Sequence, residues 1–291
     1  MMKIYSTQLK KTRKIILAML GTLPLICMVV GIYFSISSGR RKPNVNAKCA
    51  VKSLHPVIFQ YGVIDDFING SYLGELSVKD IKLQGGFGLG APNQVDGELT
   101  YFDGKAFQSR WDGKTEEAKE FTKSPFSTVT DFKADTSFTI DTASNISSLY
   151  QQIERRLRKK TNLYAISIKG TFEAITTRAF EPVRSRPFRP LAQLMSTQHL
   201  FNFKHITGNL IGFYMPKHLS GVTVDGLHFH FLSKSKEQGG HAVAITGRKL
   251  NIEIQESEIF CVQSIDVGVR EDKLKRADSQ QQLDMIEKGV K

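Results

Sequence analysis

His228 and His230 flank Phe229, and His241 follows after ten further residues. On a strand, residues two apart point to the same face. His228 and His230 can therefore grip one ion together while Phe229 turns into the core. The stretch SKSKEQGG from Ser233 to Gly240 reads as a polar turn closing on two glycines, which lets the chain fold back and set His241 beside the pair on a neighbouring strand. Three neutral imidazoles converging on one face suit zinc, copper, iron or nickel, with zinc the default outside the cytosol. Three protein ligands leave a coordination position open, the mark of a catalytic rather than a structural centre. A bare His-x-His pair is more often a hydrogen-bonded strand pair; the third histidine behind Gly239-Gly240 sets this one apart. His55, His199, His205 and His218 lack such spacing and are expected on the surface or packed.

The elements that would position these residues are mostly strands. Leu163–Ile168, Ala174–Phe180, Leu210–Tyr214, Val222–Val224, Leu227–Leu232, Ala242–Thr246 and Leu250–Ile254 are short, apolar or alternating, and punctuated by Gly, Pro, Asn and Lys. Earlier, Gly97–Phe102 and Ala106–Arg110 flank Asp103-Gly104, a strong hairpin turn. A helix is predicted over Ile146–Arg158, where Ile146, Leu149, Ile153 and Leu157 share one face and Asn145 or Ser147 can cap the start. A weaker one is predicted near Val78–Leu83. The basic run from Arg155 to Lys160 is the solvated face of the first helix. These features predict an α+β protein of mixed and antiparallel β-sheets with few helices. Two similar β-rich halves are expected, at about 51–140 and 141–265, with a tail over 266–291.

The net charge of +12 suggests nucleic acid until it is located. Residues 1–50 hold nine basic side chains and no acid, and the remaining 241 residues carry 31 basic against 28 acidic groups. A body so near neutral has no generic footprint for DNA or RNA. The excess belongs to targeting. Ile15 to Ile36 is an uncharged run of 22 residues, long enough as a helix, at roughly 33 Å, to cross a bilayer core of about 30 Å. It reads as a membrane anchor, or else as a cleaved signal segment, followed by a linker to about residue 50. Either way the catalytic body, 51–291, is expected outside the cytoplasm. Three cysteines are too few for a disulfide scaffold, but there Cys49 and Cys261 could pair.

Several separated motifs, in matching order over about residues 55–265, resemble those of the alpha-acetolactate decarboxylase family. They are GLHFHFLS from Gly226 followed by Gly239-Gly240-His241; GNLIGFYMP from Gly208 to Pro216; GFGLG from Gly86 to Gly90 with NQVDGE from Asn93 to Glu98; and Tyr164 through Gly170 with Thr177-Arg178. The resemblance implies a zinc enzyme converting (S)-2-acetolactate to (R)-acetoin and CO2 in the acetoin and butanediol pathway, often as a homodimer. It implies His228, His230 and His241 as metal ligands, Glu98 as the metal-site glutamate and Arg178 as the active-site arginine. Glu287 stands at a fitting distance for the family's C-terminal glutamate, with no motif around it. The sequence departs from the family at Ala91 and Pro92, at Asn209, and at Lys234-Ser235. None of these removes a metal ligand, but Ala91 loses a hydroxyl that could touch substrate.

The implied chemistry suits the residue types. Loss of CO2 from a β-keto acid leaves an electron pair that must pass into the ketone oxygen, and a Lewis acid held by neutral ligands is a competent sink. Arg178 stays charged and can hold a carboxylate or steady a developing anion. Glu98 can complete the metal shell or move a proton. Two other readings share the histidines: a metal-dependent hydrolase acting on small esters, and a non-catalytic metal-binding protein at a membrane.

Overall fold

β1 (Val57–Tyr61) begins the order that a computed structural model describes for residues 56–265, together with Gln282, Leu283 and Ile286. It is followed by α1 (Ile64–Ile68), α2 (Val78–Lys82), β2 (Phe87–Ala91), β3 (Glu98–Phe102), β4 (Lys105–Ser109), β5 (Thr115–Glu117) and β6 (Phe126–Thr130). Then come β7 (Thr136–Ala143), α3 (Ile146–Glu154), β8 (Leu163–Phe180), β9 (Gln198–Met215), β10 (Gly226–Ser233), β11 (Gly239–Ser257) and β12 (Ile259–Gln263).

The strands form two sheets. The first runs β12-β1-β6-β2-β3-β4-β5 and is antiparallel except where β1 lies parallel to β12. The second, β10-β9-β8-β11-β7, is antiparallel throughout, and β10 also pairs with the start of β11. That extra pairing bends the second sheet round on itself, so the beginning of β11 has a partner on both sides. Phe87, Leu89 and Ile58 from the first sheet pack on Ala165, Phe213 and Leu232 from the second. The opposite face of the second sheet buries Phe229, Phe231, Ile166 and Ile252 against Leu149 and Ile153 of α3. The mostly β, two-sheet architecture with few helices is the expected class.

Local chemistry explains the short elements. α2 starts on a full capping box between Ser77 and Asp80. α3 starts on Asn145, whose side chain accepts from the Ser148 amide at 2.8 Å. The β3–β4 hairpin turns at Asp103 (φ 51°) and Gly104 (φ 73°), the left-handed pair that matches strand twist.

Four expectations are corrected. Val222–Val224 is not a strand: it lies in a turn, held by a single bridge between Ser220 and Thr223. Leu163–Ile168 and Ala174–Phe180 are parts of one 18-residue strand, because Lys169-Gly170 pairs with Asn209-Gly208 and does not turn. Ala242–Thr246 and Leu250–Ile254 likewise join in β11, where a register shift near Gly247 absorbs the polar residues between them. The helix predicted over Ile146–Arg158, α3, is shorter than expected, ending at Glu154, although Leu157 stays buried. Among the described residues no helix is long and apolar enough to cross a membrane. The run 15–36 and Cys49 lie outside the described residues; Cys261 on β12 is disulfide-bonded.

Candidate metal centre

β10 alternates as its pattern requires. Phe229 is fully buried in the core beneath the sheet, and His228 and His230 take the other face. The turn after Ser233 returns the chain so that His230 and His241 are direct cross-strand partners. Gly240 makes that return close enough. Its φ of 125° is left-handed territory, and a Cβ there would stand 2.9 Å from the Arg178 carbonyl oxygen. Thr177 adds a clasp, its hydroxyl donating to the Gly239 carbonyl at 2.9 Å.

The three imidazoles converge. His228 Nε2 and His241 Nδ1 are 3.1 Å apart, and one ring nitrogen from each histidine lies within 4.8 Å of the others. Tetrahedral nitrogen ligands at about 2.1 Å from an ion stand about 3.4 Å from one another, so a small inward adjustment is all the cluster needs. His230 Nδ1 donates to the Leu99 carbonyl at 2.9 Å, which fixes the tautomer and turns Nε2 toward the cluster. His230 and His241 are buried and His228 is half-buried.

Electrostatics keeps these rings neutral. Burial pushes His228 down to about 3, with the Arg178 charge acting in the same direction. His230 falls well below the ordinary imidazole range through burial and the neighbouring His228, against the opposing effect of the hydrogen bond it donates to the Leu99 carbonyl. His241 falls likewise, through burial and then Arg178. Neutral imidazole is the form that binds a metal. The donor set, its spacing and its charge state all fit a transition-metal ion.

Glu98 and Arg178 complete the polar wall. Gly97, at φ 84°, turns the chain into β3, and Glu98 follows as its buried first residue, with Oε2 3.5 Å from His230 Nε2. Arg178, 3% exposed, is the cross-strand partner of His241 on β8. Its guanidinium donates to the Ile286 carbonyl and lies over the Phe180 ring at 5.6 Å. All five side chains line one cavity. Glu287 lies outside the described residues. Ala91 lines the same cavity, whereas Asn209 and Lys234 line a separate cleft. His199 pairs with Glu181 at 2.8 Å, away from the cluster.

Sequence reasoning missed the apolar side of this cavity. Ile64, Phe67, Leu191, Val224, Leu283 and Ile286 face the histidines. Only the three-residue spacing of Leu283 and Ile286 gave a local signal, that of one face of a helical turn.

A family model described as alpha-acetolactate decarboxylase matches residues 58–266. The alpha-acetolactate decarboxylase of Brevibacillus brevis is 35% identical over 222 residues, 76% of this chain and 76% of that protein. That of Bacillus subtilis strain 168 is 31% identical over 204 residues, 69% of this chain and 80% of the other. The X-ray structure of the Bacillus subtilis strain 168 enzyme superposes with a TM-score of 0.76 at 27% identity, covering 80% of this chain and all of that one. A Staphylococcus aureus protein of unknown function, described as similar to alpha-acetolactate decarboxylase, superposes at 0.73 with 25% identity, covering 78% and 98% of the two chains.

Proposed function

The chain belongs to the alpha-acetolactate decarboxylase family and is a carboxy-lyase, and from that premise we propose that it converts (S)-2-acetolactate to (R)-acetoin and CO2 with a zinc ion held by His228, His230 and His241. The product would feed acetoin and butanediol formation. The observation that carries this reading is the meeting of three neutral imidazoles with Glu98 and Arg178 on one wall of one cavity.

Zinc, when bound, supplies a Lewis acid beside the substrate's oxygen atoms. The chain does the rest. The three imidazoles are uncharged, so they leave the ion its full positive charge. Leu99 holds His230 in the tautomer that presents Nε2. Arg178 binds the carboxylate and steadies the negative charge that builds as CO2 departs; its position next to His241 sets where that carboxylate lies. The net reaction takes up one proton at the carbon that loses CO2. Glu98, beside His230, and Glu287 are the carboxyl groups assigned to manage it. The apolar wall opposite keeps bulk water from that carbon, so a single face can be protonated.

In this reading residues 1–50 act as an anchor or signal segment with its linker, and 51–291 are the catalytic body, which works outside the cytoplasm on a small molecule, as a homodimer. The disulfide at Cys261 supports an oxidising compartment.

The test is acetoin release. The full chain, supplied with racemic 2-acetolactate, should form acetoin above the spontaneous rate, consume half the substrate quickly, and stop when a strong chelator is added. Rapid hydrolysis of small esters with no acetoin would point instead to a hydrolase on the same centre.

A further inference from the structure

The cavity that holds the histidines has two unlike ends. One carries His228, His230, His241, Glu98 and Arg178, and the other is walled by apolar side chains that include Phe67, Phe126, Leu191, Val224, Leu283 and Ile286. The free space between is about 40 Å³, room for a few water molecules. A ligand bound there touches both ends at once.

Leu283 and Ile286 differ in origin from the rest of that wall. They lie well beyond β12 in the chain, three residues apart, each with helical backbone and each buried in the same apolar cluster. They are 3% and 1% exposed and pack in one apolar cluster with Phe67, Phe126 and Leu191. The Ile286 carbonyl also accepts from Arg178. One short stretch therefore supplies part of the apolar wall and touches the cation of the polar one.

We infer that Leu283 and Ile286 are specificity-determining residues that limit the alkyl group on carbon 2 of a 2-hydroxy-3-oxo acid. This rests on the decarboxylase reading of the site. The carboxylate, hydroxyl and ketone of such a substrate belong to the polar end. Its alkyl groups are left to face the wall, where a methyl group fits the small free space and each added methylene meets a packed side chain. Apolar pockets discriminate by about 10–200-fold per methylene.

The test uses the zinc-loaded full chain with two series. Non-reacting 2-hydroxy acids bearing a 2-methyl, 2-ethyl or 2-propyl group are titrated by calorimetry, and kcat/KM is measured for 2-acetolactate and its 2-ethyl and 2-propyl homologues. Leu283→Ala should move the 2-propyl to 2-methyl affinity ratio toward the larger ligand by about tenfold, with the same direction in the kcat/KM ratio. Ile286→Val, which removes a single methylene and keeps the packing, should shift the ratio the same way by a smaller amount. Binding of the series without turnover by the wild type would remove the decarboxylase reading and leave the affinity ratios to judge the wall. Ratios unchanged in both variants, or equal weakening of every ligand, would overturn the inference.

Discussion

Arg178 on β8 and His241 on β11 are direct cross-strand partners, and His241 is at the same time the partner of His230 on β10. One line of register across three strands thus places a cation and two of the three imidazoles. The spacing between them is set by the ladder and not by flexible loops. That is how a β-sheet can hold a constellation within the tolerance that metal chemistry needs. The third imidazole, His228, joins because it lies two residues along the same strand as His230.

Gly240→Ala should damage the centre without touching a ligand. Its φ of 125° disfavours a side chain, and the new Cβ would lie 2.9 Å from the Arg178 carbonyl. Relief of that contact moves His241 away from His228. Zinc affinity, measured by competition with a chromophoric chelator, should fall by about 10–100-fold, the range typical of disturbed ligand orientation. An unchanged affinity would show that β11 tolerates the strain without moving the ring.

Arg178→Lys separates charge from shape. Lysine keeps the positive charge but loses the planar fork and the reach to both carboxylate and Ile286. Zinc content should stay at wild-type stoichiometry while kcat/KM for acetolactate falls by about 100-fold, a loss of about 2.7 kcal/mol of transition-state stabilisation. Loss of zinc in this variant would instead make Arg178 a structural support of the cluster.

Phe229→Ala should cost stability first. The ring is fully buried between the second sheet and α3, in contact with Tyr150, and such truncations cost about 3–5 kcal/mol. Urea unfolding of the zinc-free protein should report that loss. A change below about 1 kcal/mol would contradict the core assignment.

The zinc-free protein should lose stability as the pH falls below the ordinary histidine range. Folding holds His228 near 3, and His230 and His241 well below their usual 6.5. Below 6.5 the unfolded chain therefore binds protons that the folded chain refuses, and the unfolding free energy drops with pH. The contribution is intact above pH 6.5 and is lost progressively from there toward about 3. A variant with all three histidines changed to Gln should show a shallower decline in calorimetric Tm over that window. Parallel declines in the two proteins would contradict burial of neutral rings.

The histidine cluster was legible in the sequence because its geometry is local: an alternation of two and a short return turn. Its three histidines converge where that spacing places them. The first sheet was barely legible. FGLGA in β2 is glycine-rich and FSTVT in β6 is mostly polar, and each becomes a strand because it is paired on both sides inside a sheet. The long strands β8, β9 and β11 were read as fragments, since Gly170, Gly208 and Gly247 look like breaks when their partners across the sheet are unknown. The Leu99 carbonyl that orients His230 carries no side-chain signal at all. Most of the apolar wall was illegible for a related reason: its members come from α1, from a short 3-10 helix that starts at Leu191, from the loop at Val224, and from Leu283 and Ile286, and only tertiary packing joins them.

Titrating zinc into metal-free protein while following CO2 release from 2-acetolactate tests the central claim most directly. The rate should rise in proportion to added zinc, level off at one ion per chain, and remain at the spontaneous level throughout in His230→Ala. Full decarboxylation by rigorously metal-free wild type, or by His230→Ala, would contradict the account.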